Sequence, residues 1–71
     1  MVNVDLLRTK IINAGFNIPM LAVRMEINPA TLYRRMSNTE TFTIGEATKI
    51  SDILHLTSDE SIAIFFNKAV A

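Results

Sequence analysis

Of the residue types that carry chemistry, this chain offers few. His55 is the only histidine and there is no cysteine, so there is no second strong ligand for a metal and no thiolate nucleophile. Asp59 and Glu60 form an adjacent carboxylate pair, but they stand where acidic residues favour the start of a helix. The two glycines are far apart, so they make no phosphate-cradling loop. The expectation is a chain with no enzymatic activity, no metal and no cofactor. What remains is a stretch suited to contact: "INPATLYRR", Ile27 to Arg35. Asn28 can cap a helix there, Pro29 can open it and Leu32 can anchor it to a core. Tyr33 and Arg34 are then left facing outwards. A guanidinium can bond O6 and N7 of guanine together, and arginine is equally favoured at protein interfaces.

The elements that must position this stretch read as helices throughout. Asn3 can cap a first helix, in which Val4, Leu7, Ile11 and Ala14 recur on one face and Gly15 supplies a stop. Asn17 can cap a second helix from Ile18 to Met25, with Leu21, Ala22 and Met25 inside. The third helix, opened at Pro29, is expected to run to about Met36, with Asn38 in the left-handed turn that ends it. Thr43-Ile44-Gly45-Glu46 has the spacing of a capping box. It opens a fourth helix with Ile44, Ala47, Ile50 and Leu54 inside and His55 late in it. Thr57-Ser58-Asp59-Glu60 repeats the signature before a fifth helix, in which Ile62, Phe65 and Phe66 cluster. No strand pattern, internal repeat or linker competes. The expected fold is a compact all-α bundle of about five short helices in a single domain, 1–71, with a loose tail over 68–71.

Composition agrees with a globular domain: 49% apolar and 20% charged in 71 residues. The longest apolar run, Ile18 to Val23, is far short of a membrane span and contains a proline. The N-terminus lacks the basic-then-apolar pattern of a secretory signal. Together with the absence of cysteine, this fits a cytoplasmic setting. Seven basic residues balance seven acidic ones. A net charge of zero counts mildly against nucleic-acid binding, although the charge of one face is what matters.

Asn17 to Met36 holds two short helices separated by about three residues, the spacing of a helix-turn-helix. The residues themselves, "LAVRMEINPATLYRRMSN", resemble the Leu-Ala-x-x-Leu-Gly-Ile-Ser-x-x-Thr-Leu-Tyr-Arg pattern of small phage repressor and Cro-like proteins. Leu21, Ala22, Met25, Ile27, Thr31 and Leu32 fall on its core and turn positions, and Asn28 on its cap. "FTIGEATKISDILHLTSDESIAIFF" is similar to the later helices of the same proteins, so the resemblance covers nearly the whole chain. It implies a lambda-repressor-like fold and a role in the lytic–lysogenic switch of a temperate phage, inside the bacterial host cell.

Placed around a helix axis at about 100° per residue, Pro29, Ala30, Tyr33, Arg34 and Ser37 share one face, while Leu32 and Met36 face the core. The resemblance puts base contacts at Pro29, Ala30, Tyr33 and Arg34, with Asn28, Thr31 and Asn38 near the backbone or at the margin. Arg35 points partly inward, where its stem can lie along the core. Two departures from the family pattern stand out. Ile18-Pro19-Met20 replaces a polar start that grips phosphate, and Glu26 replaces the turn glycine. The outward face of the second helix is Pro19, Met20, Val23 and Arg24, three of the four apolar, a composition that suits a protein interface.

Two readings therefore stand. In the first, the chain is a Cro-like regulator that binds operator DNA through Arg34, with Arg24 and Arg35 adding charge. It acts as a homodimer or together with the phage repressor. In the second, it is an antirepressor, a modulator of repression that keeps the fold but uses the same face to bind the repressor protein. Tyr33–Arg34 and the resemblance favour the first. Zero net charge, Glu26 and the Pro19–Met20–Val23 patch favour the second. No membrane and no small-molecule substrate is expected.

Overall fold

Each of the five α-helices begins on a side chain that closes its first turn. The computed structural model describes residues 2–66, and within them α1 is Val4–Asn13, α2 is Ile18–Met25, α3 is Pro29–Ser37, α4 is Ile44–Ile53 and α5 is Ser58–Phe65. Asn3, Asn17 and Asn28 accept, through Oδ1, the amides of Leu6, Met20 and Ala30 at 3.1, 2.8 and 2.8 Å. Thr43 and Thr57 head full capping boxes: each hydroxyl accepts the amide of a glutamate three residues on, and that carboxylate accepts the threonine's own amide. These bonds satisfy amides that a helix start otherwise leaves unpaired. Pro19 and Pro29 lie in the first turns of α2 and α3, where a missing N–H costs nothing.

Three helices also end alike. Gly15, Glu26 and His55 follow α1, α2 and α4 with φ of 80°, 60° and 54°. Each donates its amide back three residues, and the next amide, of Phe16, Ile27 or Leu56, reaches back five, to Ile11, Ala22 or Ser51. This is the Schellman closure, which folds an apolar residue back onto the helix it has just left. Phe16, Ile27 and Leu56 accordingly pack against the core. His55 thus lies beyond α4, which stops at Ile53. Asn38 does not adopt the expected left-handed conformation: its φ is −128°. There the chain turns instead through a single 3-10 turn, Thr39–Thr41, because Asn38's carbonyl accepts both the amide and the hydroxyl of Thr41, at 3.0 and 2.6 Å.

The six largest fully buried side chains are Leu7, Leu21, Met25, Leu32, Ile50 and Ile64. All five helices contribute, and among the described residues no polar or charged side chain is buried with them. α2 packs on α3 and α4, and α5 closes the bundle against α1 and α4. The two ends of the described chain are joined: the Asn3 amide donates to the Ile64 carbonyl at 2.7 Å, and Lys10 pairs with Glu60. Lys49 of α4 donates to the Met25 carbonyl at 3.3 Å, placing a cation at the negative end of α2.

Four positions expected inside are not. Ile44 is 74% exposed, since it is the first residue of α4 and overhangs the core. Ala14 is the exposed cap residue that follows α1. Ile62 and Phe66 are about half exposed, at 54% and 49%, and Ile64 joins Phe65 in the core instead. The rotation of α5 follows from its neighbour. Ser61 Oγ meets Ser51 Oγ of α4 at 2.8 Å, so small residues set the crossing, and Phe65 turns edge-on to Phe42 with ring centroids 6.0 Å apart. The expected tail, 68–71, lies outside the described residues. Among the described residues no helix is long and apolar enough to cross a membrane.

Candidate functional site: the outer face of the helix-turn-helix

α2 and α3 are joined by only Glu26, Ile27 and Asn28. The Glu26 turn and the Ile27 closure set the angle at which α3 leaves, and Leu32 and Met36 lock α3 onto α2 and α4 from inside. The opposite face of α3 is thereby turned out. Ala30 and Arg34 are exposed, Tyr33 is 51% exposed, and Pro29 and Thr31 are half-buried. Asn28 and Asn38 are exposed at the two ends of α3, but the Oδ1 of Asn28 is already engaged by the Ala30 amide. On α2, Pro19, Met20, Val23 and Arg24 all face out, with Met20 46% and Val23 70% exposed. The structure thus brings both sets of expected contact residues to the outside of one helix pair.

Arg35 behaves differently. Its Nε donates to both carboxylate oxygens of Glu46 at 3.1 Å, and the two side chains are only 25% and 17% exposed. Glu46 is also the capping-box carboxylate of α4. Arg35 is therefore a tie between α3 and the start of α4, and its charge is spent there rather than offered to a partner. Arg24 is held over the ring of Phe16, 5.4 Å from its centroid, which fixes the guanidinium without neutralising it.

A count of the remaining charge is informative. Among the described residues, Lys10 pairs with Glu60, Arg35 with Glu46, and Lys49 with a backbone carbonyl. Four cations among the described residues have no carboxylate partner: Lys49 in α4, which bonds that carbonyl, and Arg8, Arg24 and Arg34 in α1 to α3. Glu26 in the turn is exposed and equally unpaired. Beside this face α1, α2 and α3 leave a shallow groove lined by Arg8, Ile12, Phe16, Ile18 and Tyr33 among others. Arg8, Ile12 and Phe16 were missed by motif reasoning. The available signal was the Ile11-Ile12 pair: with Leu7 and Ile11 on the inward face of α1, Ile12 lies about 100° further round, an apolar residue at the edge of that face.

In comparisons with known proteins, no family model, no curated protein and no solved structure matched the chain.

Proposed function

We propose that the chain is a transcriptional regulator of a phage lytic–lysogenic switch that contacts operator DNA through α2 and α3. The observation that carries this reading is the fate of the cations. Among the described residues the fold pairs Lys10 and Arg35 with carboxylates and leaves Arg8, Arg24 and Arg34 without one on the first three helices. A net charge of zero therefore coexists with a small excess of unpaired positive charge on the first three helices, Arg8, Arg24 and Arg34 against Asp5 and Glu26, and local charge is what phosphates sense. Arg34 stands outward on a helix that begins at a three-residue turn, so it can meet a base edge in the major groove. The sequence resemblance to small phage repressors and Cro-like proteins supplies the setting.

A second reading is favoured by one specific observation. Val23 is 70% and Met20 46% exposed, side by side on the outer face of α2, where phosphate contacts would be expected of a DNA binder. In this reading the same face binds the phage repressor and alters its DNA binding. The deciding experiment is a gel shift on the phage switch-region DNA with this protein alone, the repressor alone, and both. A shift by this protein alone supports direct contact. No shift alone, with a changed repressor shift in the mixture, rejects it in favour of the antirepressor reading.

A further inference from the structure

The groove between α1, α2 and α3 borders the candidate DNA-reading face and shares Arg8 and Tyr33 with it, but its apolar floor is a feature that phosphate or base contact leaves unfilled. It is open to solvent, has a volume of about 260 Å3, and its surface is mostly apolar: Ile11, Ile12, Phe16, Ile18 and Tyr33. Ile12 is 70% and Tyr33 51% exposed on its edges. Arg8 is the one charged residue that lines it, and Arg24, outside the lining, stands over the ring of Phe16, which does line it. No carboxylate lines it, and neither arginine has a carboxylate partner among the described residues. Phosphate binding would need several donors converging on one point. Here the floor is hydrocarbon, and Arg8 is the one charged group that lines it. Apolar walls with a free guanidinium at the rim match a surface of opposite pattern: large apolar side chains flanked by carboxylates.

We propose that this groove docks an acidic amphipathic segment of a partner protein. One or two of the segment's large apolar side chains enter between Ile12, Phe16, Ile18 and Tyr33, and an aspartate or glutamate beside them meets Arg8. Burial of the apolar side chains supplies most of the affinity, and the charge contact selects the partner's sign. The inference stands whether or not Arg34 reads DNA. It has a regulatory consequence all the same, because Tyr33 is both an edge of the groove and the neighbour of Arg34 on α3. A docked segment sits beside the candidate DNA-reading face and competes with a duplex for that space.

The chain has one tyrosine and no tryptophan, so Tyr33 emission reports on the groove directly. The probes are helical peptides free of tyrosine and tryptophan, with leucines at two helical spacings flanked by glutamates, and the same peptides with lysine in place of glutamate. The acidic peptides are expected to change Tyr33 emission saturably and to bind about tenfold or more tighter than the lysine peptides. Arg8→Glu should reverse that preference, and Ile12→Ser should weaken binding several-fold. Both side chains line the surface groove, and circular dichroism verifies that the variants keep the parent's helix content. Equal binding of both peptide types, binding by neither, or indifference to Ile12→Ser overturns the proposal. So does an emission change on raising protein concentration alone, which assigns the groove to a second copy of the chain. The same holds for a change with nonspecific duplex DNA that Ile12→Ser also abolishes, since that assigns it to nucleic acid.

Discussion

At the scale of single residues, Arg34 and Arg35 are neighbours with opposite employment. Arg34 is exposed and unpaired, whereas Arg35 is bound through Nε to Glu46. Arg34→Ala is expected to leave the melting temperature unchanged and to weaken operator binding by about 1–3 kcal/mol. Arg35→Ala should do the reverse, lowering stability by about 1 kcal/mol and sparing sequence preference. A pair of thermal melts and binding isotherms checks both; matching losses of affinity would show that Arg35 also reaches DNA. Val23→Glu and Met20→Glu test the other reading. Each should abolish a repressor complex by burying a carboxylate without a partner, yet only modestly weaken DNA binding, through repulsion that high salt masks. The outward placement of Arg34 was legible in the sequence because it depends only on helical period and on the anchor at Leu32. The Arg35–Glu46 tie was not. Its partners are 11 residues apart on different helices, and nothing local requires them to meet.

At the scale of elements, the caps were the most legible feature because they are local. Asn3, Asn17, Asn28, Thr43 and Thr57 each bond an amide two or three residues away, so spacing alone identifies them. Helix rotation is not local, which is why Ile62 and Phe66 were misplaced: the serine contact between α4 and α5 decides which apolar residues of α5 turn inward. The left-handed turns carry a stability prediction. Glu26 has φ 60° and lies at the negative end of α2, two disadvantages for a glutamate. Glu26→Gly should relieve both and stabilise the domain by up to about 1 kcal/mol, part of the gain being offset by the greater freedom of glycine in the unfolded chain. Chemical denaturation measures this, and a lower midpoint would contradict it. The α5 cap has a pH signature. The hydrogen bond from Lys10, and next the Thr57 amide, hold Glu60 down from 4.5 to about 2. Because its folded value is the lower one, the stability it contributes is complete above 4.5 and is lost as pH falls towards 2. In Glu60→Gln, melting temperature should therefore fall less steeply across that acid range than in the parent. Parallel profiles would detach Glu60 from acid stability.

At the scale of the whole molecule, a single core serves five helices, so one large cavity should be felt everywhere. Leu32, fully buried between α3 and its neighbours, is the sharpest probe: Leu32→Ala should cost about 2–5 kcal/mol, a large share of the stability of so small a domain. A melting temperature within a degree or so of the parent would refute the core described here. The charge arrangement makes a further global prediction. If Arg8 and Arg24 meet phosphates, affinity for DNA should fall with salt, by about 0.9 in log–log slope per phosphate neutralised; a flat salt dependence would exclude that use of them. The overall all-helical architecture was legible from capping and periodicity, while the apolar groove was not, because it belongs to three helices at once. Finally, the clasp between Asn3 and Ile64, reinforced by Lys10 and Glu60, bears on the order of assembly. It closes the longest loop in the described chain, whereas α2, α3 and α4 meet across short connections. Loop-closure entropy grows with the length enclosed, so the central three helices are expected to form first and the terminal pair to dock last. By the same logic the terminal pair is the first to open. The Asn3 amide should exchange its hydrogen with solvent sooner than the amides of the α2–α3 corner, and the molecule should breathe from its ends.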